Sequence, residues 1–266
     1  MISNIAIRLD PFDCWALRQK AVQRRLFSFG RSKTMRLSDF KNLIASMPVC
    51  FQAFTSKRAT WASHIDGDNE AGQALRSMFG ESDSVTLSRH DLRELASKPD
   101  LAQFVMATVI WGYPRGMRGN HVANLINYFG QLTQLLSTAR EQSVTDWGAH
   151  YKAVGEIAGI GLSTYTKLLS FLSVQIHCHS ALILDDRIIR VASRGIFEEL
   201  MPVYSLSGYN AVRSYPQYLS CIHSLANNLA VSAEQIEFFL FEFGLNLKPL
   251  PAQQFVLANA SQVALR

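Results

Sequence analysis

The sequence predicts an all-α protein, or one that is mostly α. Apolar residues recur at helical spacing through most of the chain, and cap residues stand at the starts of several such runs. Paired strand signals are scarce.

Segment 12–28, with Phe12, Trp15, Ala16 and Leu17, has helical spacing. Segment 37–47 repeats it through Leu37, Phe40, Leu43, Ile44 and Met47, with Ser38 read as the cap. Residues 64–72, HIDGDNEAG, are polar and glycine-bearing and read as a loop. In SVTLSRHDLRELAS, Ser88 precedes a helical run with Asp91 in its first turn. Residues 101–111 are apolar almost all round, the mark of a central buried helix. That helix stops at WGYPRGMRGNH, where glycines and Pro114 forbid regular continuation. Helical spacing resumes over 121–138. In GEIAGIGLSTYTKLLSFL (155–172) a helical run breaks at Gly-Ile-Gly and restarts at once. A further helix runs from about Asp186 to Ser193, and 200–214 is looser. YPQYLSCIHSLANNLA carries Pro216 at its N-terminus, and SAEQIEFFLFEFG opens at Ser232 and closes at Gly244. The tail, 248–266, has little pattern.

A chain of 266 residues can bury a real core, and 48% hydrophobic with 18% charged residues is a globular balance. The longest nearly uncharged apolar run, 104–113, is too short to cross a bilayer. The N-terminus lacks the layout of a signal peptide, so the expectation is a cytoplasmic protein without a membrane. Cys14, Cys50, Cys178 and Cys221 form no C-x-x-C pair, which argues against a cysteine-built metal site. His177 and His179 alternate in IHCHS but have no evident partner set, and neither metal nor cofactor is expected. Net charge is +5, and it is uneven: residues 1–60 hold 11 Lys or Arg against 3 acids. Concentrated basic charge suits a polyanion such as nucleic acid, though a solvated helix face would look the same.

Two helices joined by Gly-x-Gly form a tight hairpin, and the second begins with free N–H groups and a positive dipole end. A phosphate fits there without a charged side chain. Such turns also serve plain packing. Asp185 and Asp186 follow in LILDDRIIRVA.

GIGLSTY followed by LDDRIIRVA resembles the helix-hairpin-helix DNA glycosylase superfamily, in particular its 8-oxoguanine-glycosylase-like branch. Gly159, Ile160, Gly161 and Thr164 match its hairpin; Leu184, Asp185, Arg187 and Val191 match its acid segment. The stretches WGYP, GIG-x-ST-x-TK, LDxR and EFFLFEFG also resemble bacterial glycosylase-like proteins linked to phage defence. The resemblance implies a single unit over 1–266 with two helical subdomains and the site in the cleft between them. The approximate subdivision is a basic helical region at 1–100, a core at 101–195 and C-terminal helices at 196–266. The core holds the hairpin at 150–173 and the catalytic loop at 174–190.

The activity implied is flipping of a modified base from double-stranded DNA and cleavage of its N-glycosidic bond. Asp185 falls on the catalytic acid, a plain helix N-cap being its competing reading, with Asp186 left to cap the helix or pair with a basic neighbour. The family's lysine position is occupied by Ser163 here, which puts strand cleavage in doubt. Lys167, one helical turn on and 18 residues before Asp185, is a second candidate; a surface lysine is the alternative. Backbone at Gly159, Ile160, Gly161, Ser163 and Thr164, with Arg115, Arg118 and Arg187, would hold DNA. Trp111, Tyr113, Phe239 and Phe243 are candidates for a base pocket, with packing the preferred reading of Trp111 and of both phenylalanines. The competing readings are a glycosylase-like DNA-binding module without catalysis, and a helical protein whose hairpin only packs.

Overall fold

Twelve α-helices and two short antiparallel strand pairs form the described residues, 34–65 and 68–249, of this computed structural model. The first half runs α1 Lys41–Ala45, β1 Ala53–Lys57, α2 Ala62–Ile65, α3 Glu70–Phe79, β2 Ser84–Ser88, α4 Arg89–Ala96, α5 Ala102–Gly112 and α6 His121–Asn127. The second runs α7 Phe129–Glu141, α8 Trp147–Gly155, α9 Leu162–Phe171, β3 Gln175–Ile176, β4 His179–Ser180, α10 Asp186–Ser193, α11 Ala211–Leu229 and α12 Ala233–Phe243. The helix expected at 12–28 and all but the start of the tail lie outside the described residues.

Helix α5 is the centre of the molecule, with α3, α4, α9 and β1 packed around it. Every residue from Phe104 to Trp111 is buried, because no polar face exists to turn outward. Each large apolar side chain there contributes about 1.5–3 kcal/mol by leaving water. The helix ends where Pro114 disfavours helical backbone at Tyr113, which leaves the α region at φ −137° and ψ 63°.

Local capping signals are realised at two starts. Ser88 and Asp91 form a reciprocal capping box on α4, and Ser232 and Gln235 form one on α12. Other local readings are corrected. The loop expected at 64–72 is shorter, because Asn69 caps α3 by accepting the Gly72 N–H at 2.9 Å. Ser38 is not a cap. It lies inside a 3-10 turn, Leu37–Phe40, whose Leu37 and Ser38 amides donate to the Glu199 carboxylate at 2.9 and 3.2 Å.

Pro216 does not start its helix. Helix α11 begins at Ala211 and contains the proline. The missing proline N–H frees the carbonyl of Val212, four residues back, and the Trp147 indole donates to that oxygen at 2.6 Å. Gly244 follows α12 in ordinary right-handed backbone (φ −56°), so no left-handed cap is formed. Glycine is required there by contact: a Cβ would stand 2.7 Å from a methyl of Val191 on α10.

The β1–β2 pair, in register from Ala53↔Ser88 to Lys57↔Ser84, joins segments separated by α2 and α3. Each strand is only five residues long, too little for alternation to stand out in the sequence. Among the described residues no helix is long and apolar enough to cross a membrane.

Candidate active site

Helices α8 and α9 form the hairpin, tied by a 2.6 Å hydrogen bond between His150 Nε2 and the Tyr165 hydroxyl. The two glycines of its turn do different things. Gly159 has φ +92°, and a Cβ on it would lie 2.5 Å from the His121 carbonyl at the start of α6. Gly161 is extended, at φ −95° and ψ 171°, and a Cβ there would meet nothing within 4 Å. It therefore leaves open ground before the first turn of α9, which no side chain caps. Ile160 between them is buried.

The loop from Tyr113 to Asn120 is fastened to this hairpin at both ends. The Tyr113 hydroxyl shares a 2.8 Å hydrogen bond with Thr164 Oγ1, and His121 closes against Gly159. Thr164 is consequently buried, with its hydroxyl committed to Tyr113, so only its main chain is left to offer a ligand. Arg115 and Arg118 project from the loop and are exposed.

The segment ahead of the acid is held by three hydroxyls. Tyr215 bonds both the N–H and the carbonyl of Leu182, at 3.2 and 2.6 Å. Tyr218 donates to the Ile183 carbonyl at 3.0 Å, and Thr166 Oγ1 accepts the Leu184 N–H at 3.1 Å. Asp185 follows and caps α10, its Oδ1 accepting the Ile188 N–H at 3.0 Å. The capping role expected of Asp186 thus belongs to Asp185, whose extended backbone (φ −111°) is what a cap requires. Asp186 is exposed and pairs with Arg190 at 2.9 Å.

Lys167 is a buried residue, 8% exposed, which excludes the surface alternative. Its stem passes Gly112, where a Cβ would come within 3.4 Å of Cδ. Its Nζ donates to Ser163 Oγ at 2.7 Å and to the Ser163 carbonyl at 3.3 Å. Burial pushes the amine below its ordinary pKa; Asp185 and Glu237 oppose this and Arg89 assists it. Lys167 and Asp185 line one cavity of about 210 Å³, together with Trp111, Phe241, Arg89 and Glu237.

Sequence reasoning missed most of that wall. Arg89 and Glu237, each 1% exposed in its side chain, form a bidentate ion pair, and Arg89 Nε also donates to Gln52 Oε1 at 2.7 Å. Burial pushes the Glu237 carboxyl up, against the lowering by Arg89. The available signal was an acid inside the otherwise apolar run IEFFLF. The aromatic that α12 gives the cavity is Phe241. Phe239 is fully buried among Phe40, Phe197 and Phe243, and Phe243 is partly exposed beside it; neither lines the cavity. Trp111 is both core and wall, its indole donating to the Gln52 carbonyl. Tyr113 serves the hairpin and is not in the cavity wall. Arg187 is half-buried with its guanidinium 4.8 Å over the Phe241 ring and its Nε without a hydrogen-bond partner.

A larger recess of about 830 Å³ lies elsewhere, between the β3–β4 turn and α11, and shares no lining residue with the first. His177 and His179 line it, with His179 stacked on His223. Among the described residues no group of three or more His, Cys, Asp or Glu is placed to hold a metal ion.

A family model described as "Putative 8-oxoguanine DNA glycosylase OGG-like protein" matches residues 48–241. The match spans every residue named above as lining the smaller cavity. No curated protein and no solved structure matches the chain.

Proposed function

From a chain that belongs to the OGG-like 8-oxoguanine DNA glycosylase family, we propose an enzyme that flips a modified base out of duplex DNA and cleaves its N-glycosidic bond. The observation that carries this reading is the shared cavity: a buried lysine amine and a fixed carboxylate face one space walled by Trp111 and Phe241.

Lys167 Nζ attacks C1′ of the deoxyribose with its lone pair. The C1′–N bond breaks, its electron pair leaves on the base, and the base takes up the proton that the attached amine releases. The Asp185 carboxylate stabilises the positive charge that builds on the sugar. Opening of the sugar ring then gives a lysine imine, from which the strand can be cleaved. Burial of Lys167 favours the neutral, nucleophilic amine. Phe241 and Trp111 stack the base, and the acceptor-only Glu237 carboxylate favours an edge that presents N–H donors. The amides of Leu162, Ser163 and Thr164 at the open start of α9 receive a strand phosphate, and Arg115, Arg118 and Arg187 add charge around it. The substrate is an oxidised purine or a bulky base of the kind phages carry, in repair or antiviral defence.

The test is incubation of the protein with duplexes bearing each kind of base, scored for alkali-labile sites and for a borohydride-trapped covalent adduct. Release and trapping by wild type are expected. Asp185→Asn, which retains a good cap, should lower release by about 10²-fold or more with the fold intact. Binding without release from any substrate would leave a non-catalytic DNA-binding module instead. Release without trapping would assign the bond cleavage to water and remove Lys167 from the chemistry.

A further inference from the structure

We propose, resting on the excision chemistry above, that Thr166 is a positioning residue that holds Lys167 and Asp185 at their working separation. Thr166 is fully buried in α9. Its hydroxyl accepts the Leu184 N–H at 3.1 Å and lies 3.4 Å from the Leu184 carbonyl. Thr166 immediately precedes Lys167, and Leu184 immediately precedes Asp185. One side chain thus joins the two backbones a single residue back from both reacting groups.

The other two ties on this segment come from elsewhere. Tyr215 and Tyr218 fasten Leu182 and Ile183 to α11, which carries neither reacting group. They hold the segment against α11, whereas Thr166 ties it to α9 itself. A threonine inside a helix ordinarily turns its hydroxyl back to a carbonyl three or four residues earlier. That option is present, at 3.3 Å from the Ser163 carbonyl, but the oxygen's acceptor side is spent across the gap on Leu184. The β-branched side chain has few rotamers, so the oxygen is aimed by the helix itself. The lysine is braced independently by Ser163 and Gly112, and the acid by its own cap on Ile188. Only the distance between the two ends is left, and Thr166 sets it. Small errors in such a distance are costly, with displacements near 1 Å slowing reactions by about 10²-fold.

Two readouts test this on Thr166→Val, Thr166→Ser and a core control on α11, Ile222→Val. The first needs no substrate: the pH dependence of Lys167 acylation by acetic anhydride in the free protein, followed by mass spectrometry. The Asp185 charge favours the ammonium form, so a wider separation moves the acylation midpoint to lower pH in Thr166→Val. Thr166→Ser should keep the wild-type midpoint, as should Ile222→Val. The second is the single-turnover rate of imine trapping, expected to fall about tenfold in Thr166→Val with substrate affinity unchanged, and to recover in Thr166→Ser. Thr166→Cys, similar in size but weak at hydrogen bonding, replaces the valine variant if that does not fold. An unmoved midpoint in the valine or cysteine variant overturns the proposal, as does an equal shift in the Ile222→Val control. Absence of excision by wild type would sink the glycosylase reading while leaving the acylation midpoint to judge Thr166.

Discussion

Arg89 grips Glu237 through two bonds, of 2.9 and 3.3 Å, in the wall of the cavity that also holds Lys167 and Asp185. A buried ion pair is a weak source of stability, because desolvating both charges offsets most of their attraction. Its place in this wall is better explained by what it offers a ligand. Arg89 neutralises Glu237 without covering every lone pair of its oxygens.

Removing either partner alone should therefore cost about 3–5 kcal/mol, since the other charge is left buried and unpaired. The double variant Arg89→Met/Glu237→Leu should regain most of that loss in urea denaturation. Base release should nevertheless stay low in the double variant. Full activity there would mean that the pair does not read the base.

Lys167→Met should stabilise the protein at neutral pH by about 1 kcal/mol while abolishing the trapped adduct. The wild-type amine titrates below its unfolded value because it is buried, so the unfolded chain binds more protons between the two values. Stability of the wild type therefore rises with pH through the window below 10.5. Denaturation at neutral pH and near pH 9.5 should show that rise in wild type and a smaller one in the methionine variant. Equal slopes would show that the amine is not desolvated.

The hairpin glycines separate folding from binding. Gly159→Ala combines left-handed backbone with a Cβ 2.5 Å from the His121 carbonyl and should destabilise by roughly 2 kcal/mol or more. Gly161→Ala meets nothing within 4 Å in an extended conformation and should leave the melting temperature nearly unchanged. Its Cβ would stand where the phosphate approaches, so DNA affinity should fall about tenfold. A Gly161→Ala protein with wild-type affinity would take the hairpin out of DNA binding.

Trp147→Phe leaves the Val212 carbonyl without its donor, and should cost about 1–3 kcal/mol. Pro216→Ala supplies a helical N–H to that same oxygen. The double variant should therefore be more stable than the sum of the single effects, which a denaturation double-mutant cycle would measure.

What the sequence determined by itself is local. The caps at Ser88 and Ser232, the buried run of α5, the break at Gly-Ile-Gly and the start of α10 each depend on residues within a few positions of one another. Spacing and side-chain type express such relations directly. The misread starts at Ser38 and Pro216 failed for the opposite reason: the Ser38 amide is taken by Glu199, 161 positions away, and the Val212 carbonyl that Pro216 leaves free is taken by Trp147, 65 positions away. The site follows the same division. Asp185 stands out in the sequence because its hairpin lies close by. Tertiary packing alone brings Arg89 to Glu237 across 148 positions, selects Phe241 over its neighbours and sinks Lys167 beside Gly112. Burial is a property of what surrounds a side chain, and the surroundings here come from segments far apart in the chain.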